Sequence, residues 1–119
     1  MDSLSHLLAL LAPRCEVNLH CRFGGRWQAG HQQMRSGVVP WHVMLRGEGR
    51  LNVGGQTHHL RAGDVVLLPH GSPHLMESLV EWGQVLPVAH RFNGTVTEMR
   101  AGPAEGALEM LCGEFYFGP

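Results

Sequence analysis

The chain contains no lysine. Its 119 residues carry nine basic side chains, all arginine, against ten carboxylates, which leaves a net charge of −1. Without a basic excess there is no electrostatic footprint for nucleic acid and no polybasic patch for a membrane surface, so DNA would have to be reached through another domain. Cysteine is scarce as well. Cys15, Cys21 and Cys112 form an odd set with no C-x-x-C pair, which excludes a disulfide framework and a four-cysteine zinc site. Long apolar runs are also missing: "LSHLLALLA" is too short to span a bilayer and follows an acid instead of basic residues. No membrane association is expected, and the expected setting is cytoplasmic.

What the chain has in excess is histidine, nine residues scattered along the sequence. Its length fits one domain over residues 1–119, with a single core. Asp2 and Ser3 can cap a short helix in which Leu4, Leu7, Leu8 and Leu11 repeat at helical spacing until Pro13 stops it. From Val17 the period falls to two: Val17, Leu19, Cys21 and Phe23 alternate with polar residues, so Cys21 points to the apolar side. "VVPWHVML" reads as a strand, "RLNV-GG-QTHHL" as a tight hairpin, "DVVLLP" as a buried strand, and "LEMLCGEFYF" as the last strand. Residues 83–106 read as an irregular crossing or flap. Many short strands punctuated by glycine and proline predict an all-β sandwich or barrel with one short N-terminal helix.

Gly63, Pro69, Gly71 and His74 stand at the spacing G-x5-P-x-G-x2-H. Physically, a strand enters a compact Pro/Gly turn and the next strand begins with an imidazole. This spacing resembles the second motif of the cupin superfamily, and the resemblance implies a cupin-like (double-stranded β-helix, or jelly-roll) barrel with His74 aimed into its mouth. Metal-binding cupins also carry an H-x-H followed by a Glu. Here "QQMRSGVVPWHVMLRGEG" has no H-x-H, and Pro40 stands where the Glu would be.

His42, two residues beyond Pro40, should share that interior with His74 and His31. Three neutral imidazoles can hold zinc or nickel together with water. Alternatively, His42 and His74 are hydrogen-bonded residues lining a polar spot in an apolar cavity, with no cofactor required. The opposite face of the same strand, Val39, Trp41, Val43 and Leu45, is the more apolar one, and it would put His42 in solvent unless both faces are covered.

Further positions resemble the N-terminal regulatory domain of AraC/XylS-type transcription activators, and most of all the reactive-chlorine-sensing members. These are "MDSLSHLL", Ala12-Pro13, Cys21, Trp27, His31, Trp41-His42, "GDVVLLP" and Cys112-Gly113. The likeness covers about residues 1–77 and 107–117, with 83–106 as an insertion. It implies a sensor module whose redox-responsive thiols are Cys21 and Cys112, whose stimulus is a small-molecule inducer or an oxidant, and whose DNA contacts come from a helix-turn-helix domain that this chain lacks. Inert packing is the alternative for both thiols. The sensory reading expects a ligand pocket lined by Trp41 or His42, by Met44, His74 and Met76, and by residues of the first strand, with "WGQVLPVAHRF" as its flap. Two other readings stand beside it: a free-standing cupin that binds a small molecule or metal, and a metal-dependent cupin enzyme, which the lost H-x-H and Glu disfavour. Exposed edge strands make a homodimer plausible.

Overall fold

The computed structural model describes Asp2, Ser3 and residues 14–117. The helix expected over Leu4 to Leu11 lies outside them. Ten strands follow in chain order: β1 Arg14–Phe23, β2 Gln28–His31, β3 Val38–Arg46, β4 Glu48–Val53, β5 Gln56–Arg61, β6 Val65–Leu67, β7 His74–Glu77, β8 Ala89–Phe92, β9 Thr97–Ala101 and β10 Leu108–Tyr116. They form two sheets, one of six strands in the order β6-β3-β10-β1-β9-β8 and one of four in the order β2-β7-β4-β5. No helix among the described residues is long and apolar enough to cross a membrane.

Among the described residues the two sheets share one core without closing into a continuous barrel, so the cupin-like all-β architecture expected from the sequence is present but open. The longer strands supply most of the core, whereas all four residues of β8 are exposed. Phe23 from β1, Met44 from β3, Met76 from β7 and Met110 from β10 are almost wholly buried. Phe23 also stacks at a tilt on Trp27, with ring centroids 4.8 Å apart.

Three local expectations change. The alternation along β1 breaks at a bulge between Val17 and Leu19, which leaves Val17 exposed while Cys21 and Phe23 point inward. The stretch read as a buried strand is a three-residue edge, β6, in which only Val66 is buried and Val65 and Leu67 face out. Residues 83–106 contain an antiparallel pair, β8 and β9, and β9 runs parallel to β1. Their apolar residues are too few and too widely spaced to show a period of two.

Two glycines have steric reasons. At Gly71, φ is +62° and an added Cβ would stand 2.8 Å from Met34 Cβ, so the turn before β7 can press against the chain before β3. That turn is tied down by Met34 N–H donating to the Gly71 carbonyl at 2.9 Å and by Gln33 Nε2 donating to the His70 carbonyl at 2.8 Å. At Gly113, opposite the β1 bulge, an added Cβ would meet the Glu16 carbonyl oxygen at 2.0 Å and the Trp41 ring at 2.3 Å.

Gly113→Ala is therefore expected to cost about 2 kcal/mol or more in urea denaturation, because neither the carbonyl nor the buried indole can move aside. Gly30→Ala, whose Cβ would meet nothing closer than 3.6 Å, is expected to be neutral or to stabilise by about 0.5 kcal/mol. Equal losses in the two variants would contradict this packing.

Candidate functional site: a buried chain of imidazoles and thiols

The alternation of β3 turns His42 inward, where it is only 1% exposed. This settles the question raised by the apolar outer face: His42 is in the core, and on the other face Trp41 is buried, Val39 and Val43 are half-buried and Leu45 is exposed. Directly opposite His42 on β10 stands Cys112, and across the core, on the other sheet, stands His74. His42 Nδ1 lies 2.9 Å from Cys112 Sγ, His42 Nε2 lies 3.0 Å from His74 Nε2, and His74 Nδ1 lies 3.0 Å from the Ser72 carbonyl.

One backbone group orders this chain. A carbonyl only accepts, so the proton sits on His74 Nδ1, and a neutral His74 presents a bare lone pair at Nε2. His42 must then donate from Nε2, and its own Nδ1 is left to accept the S–H of Cys112. The protons run from Cys112 through His42 and His74 to Ser72. The turn pinned at Gly71 therefore sets the tautomer of a residue on the opposite sheet.

His31 completes the group. It pairs in register with His74 across β2 and β7, and the two rings stack with centroids 4.8 Å apart and planes 19° from parallel. One nitrogen from each of His31, His42 and His74 lies within 4.8 Å of the others. Burial, followed by the neighbouring His74 and His31, pushes His42 down to about 3. Burial and His74 also lower His31. Burial lowers His74 against the opposing bond to Ser72. All three rings are therefore neutral near pH 7, which is the form that binds metal.

These residues fit a zinc-type cation. Two nitrogens on tetrahedral zinc, at about 2.0–2.1 Å each, stand about 3.4 Å apart. The 3.0 Å separation between His42 and His74 needs a small opening and the 4.8 Å bound on the three nitrogens a closing-in of His31, while His74 is already oriented by its bond to a carbonyl, the usual support of a ligating imidazole.

The thiols sit beside this group. Strand β10 lies between β3 and β1, so Cys112 has His42 on one side and, diagonally on the other, Cys21, which pairs with Met110 two residues before it. Both thiols are buried and free, whereas Cys15 is exposed. The neighbouring Cys21 sulfur, then burial, pushes the Cys112 thiol up and holds it protonated.

Both cysteines open onto a cavity of about 260 Å³ lined also by His31, Met76, Met99 and Met110, with Val88 and His90 on the side of the 83–92 segment. Of the residues expected in the pocket, Met76 lines this cavity and His42 and His74 flank it through His31. Met44 is buried away from it. Trp41 lies on the opposite face of β3, packed near Phe115, and takes no part. Val88 and His90 belong to the stretch expected as the flap, whereas Met99 was missed because β9 gave no strand signal. Ser72 was missed because it acts through its backbone carbonyl, to which the side chain gives no clue.

The depressed histidines set a pH dependence. The unfolded chain takes up protons near the ordinary histidine value of 6.5, whereas His42 resists until about 3. Stability is therefore present above about pH 6.5 and falls as the pH drops through this window, by about 1.4 kcal/mol per pH unit for each such histidine. In urea titrations between pH 7 and 4, His42→Phe is expected to flatten this slope. An unchanged slope would contradict the assignment.

The sequence matches the family described as cupin over residues 2–119. It is 33% identical over 117 residues to an uncharacterized HTH-type transcriptional regulator of Haemophilus influenzae, a match covering 98% of this chain and 39% of that protein. It is 40% identical over 75 residues to the RCS-specific HTH-type transcriptional activator RclR of Escherichia coli K12, covering 62% of this chain and 26% of that one. With the HTH-type transcriptional regulator MtrA of Neisseria gonorrhoeae it shares 28% identity over 120 residues, covering 98% and 39%. The chain thus spans well under half the length of the curated relatives it matches. By sequence, and by its two facing sheets with the Pro/Gly turn leading into His74, the chain belongs to the cupin family.

Proposed function

We propose that this cupin domain is the sensory module of a cytoplasmic HTH-type transcription regulator and that its signal is the oxidation of Cys21 and Cys112 to a disulfide. The observation that carries this reading is the placement of the two thiols as a diagonal pair on adjacent strands, both lining one small apolar cavity. The relatives support it, since all three are regulators by name and one is named for RCS specificity. The chain's near-neutral charge leaves DNA contact to a domain outside these residues. The absent H-x-H and Glu, together with the regulator relatives, favour sensing over catalysis.

The neighbours of each thiol divide the chemistry. A small uncharged two-electron oxidant, such as hypochlorous acid or a peroxide, enters the apolar cavity and converts the Cys21 thiol to a sulfenic acid, while it is itself reduced to chloride or water. Cys112, held as a thiol, is the resolving partner. As its sulfur attacks the Cys21 sulfur, its proton passes to His42 Nδ1, which already accepts the S–H, and the departing hydroxide takes that proton as water. The bond formed is S–S and the bond broken is S–O. The disulfide draws β10 toward β1, and that shift biases the two states of the regulator.

A second reading rests on the convergence of three neutral imidazoles: His31, His42 and His74 hold zinc or nickel. The cation would supply a charged link between the two sheets and so stabilise the domain.

The thiol reading is tested in a Cys15→Ser background, which removes the exposed thiol. After mild hypochlorite treatment, mass spectrometry is expected to show a monomer lighter by two hydrogens with Cys21 and Cys112 linked. Cys21→Ser and Cys112→Ser should each abolish the link. Oxidation to sulfonic acid with no crosslink would contradict the reading.

A further inference from the structure

We propose that the three-histidine centre and the thiol pair share the sulfur of Cys112, so that a divalent cation on the histidines and the Cys21–Cys112 disulfide disfavour each other. This rests on the reading of Cys21 and Cys112 as an oxidisable pair. The argument begins from strand order. Because β10 lies between β3 and β1, the Cys112 sulfur has its imidazole partner on one side and its thiol partner on the other, and moving toward one means leaving the other.

His42 is the joint. In the free chain its single ring proton is on Nε2, facing His74, and Nδ1 accepts from Cys112. His42 can reach the point shared with His31 and His74 only through Nε2. Ligation there takes the Nε2 lone pair and moves the ring proton to Nδ1. The new N–H is buried, and its partner among the described residues is the Cys112 sulfur 2.9 Å away.

In the dithiol state that sulfur accepts, while its own S–H turns toward Cys21. In the disulfide state the two sulfurs close to about 2.05 Å, which pulls Cys112 to the β1 side and leaves the Nδ1 proton without its acceptor. Loss of the outer partner of a ligating histidine typically weakens metal binding about 10- to 100-fold. Linkage is reciprocal, so the same factor favours the dithiol when the cation is bound. Oxidation removes two protons and two electrons from the thiols, the electrons passing to an oxidant such as hypochlorous acid.

The test uses the full chain with Cys15→Ser, prepared as dithiol and as disulfide, with redox state verified by mass spectrometry. Zinc affinity is read by competition with a chromophoric chelator, and cobalt(II) absorption reports the ligand set. The dithiol is expected to bind one zinc, and the disulfide to bind about 10- to 100-fold more weakly. Reduced Cys112→Ala should show the same weakening, while Cys112→Ser, whose hydroxyl can still accept from Nδ1, should recover affinity and lose the response to oxidant. Cobalt should give a tetrahedral spectrum without a thiolate charge-transfer band.

A disulfide form that binds zinc as tightly as the dithiol would overturn the linkage and leave the oxidisable pair standing. No disulfide at all would overturn both. A thiolate band, or no zinc bound by the dithiol, would overturn the linkage by making Cys112 a ligand or by removing the site.

Discussion

The hydrogen bond from His74 Nδ1 to the Ser72 carbonyl sets the direction of everything buried behind it. A carbonyl offers no proton, so it imposes a donor on His74, an acceptor at the far side of that ring, a donor at His42 Nε2, and an acceptor at His42 Nδ1. Unpaired, a polar group in this core would cost about 1–3 kcal/mol. Paired in series, the imidazoles and the Cys112 thiol fit within an apolar interior as neutral groups. The Pro/Gly turn that holds Ser72 is thus part of the site even though none of its side chains touches the thiols.

The proposed sensing role draws on groups that are neutral, directional and buried. This core contains neutral polar groups hydrogen-bonded in series, with a cavity of about 260 Å³ beside them. Its sulfur lining, of Cys21, Cys112, Met76, Met99 and Met110, offers soft, oxidisable atoms and no charged partner that would attract an anion. The two sheets meet at the histidines, since His42 comes from one and His31 and His74 from the other. A change at this point therefore acts on the relation between sheets, which is the property a regulator needs.

Much of this was legible in the sequence because strands alternate. The alternation of β3 put His42 on the face of Pro40 but left open which face is the core, the cupin resemblance of the G-x5-P-x-G-x2-H spacing implied an inward His74, and the first and last strands are adjacent, as pairing Cys21 with Cys112 requires. Trp41 and His42 were alternatives because neighbouring residues of a strand face opposite ways, and the structure puts Trp41 on the outer face near Phe115. The bulge before Leu19 was invisible, because one extra residue in a strand changes register without changing composition. The open arrangement of the sheets and the β8–β9 pair depend on long-range pairing that short apolar runs do not specify. The order of protons along Cys112, His42 and His74 needed distances, since it is set by a backbone oxygen.

The most direct measurement of the central claim is the ring nitrogen spectrum of 15N-histidine-labelled protein at neutral pH in the reduced, metal-free state. The expected result is two neutral rings of opposite tautomer: His74 protonated at Nδ1 and His42 protonated at Nε2. A His42 protonated at Nδ1, or either ring found as the imidazolium, would contradict the account.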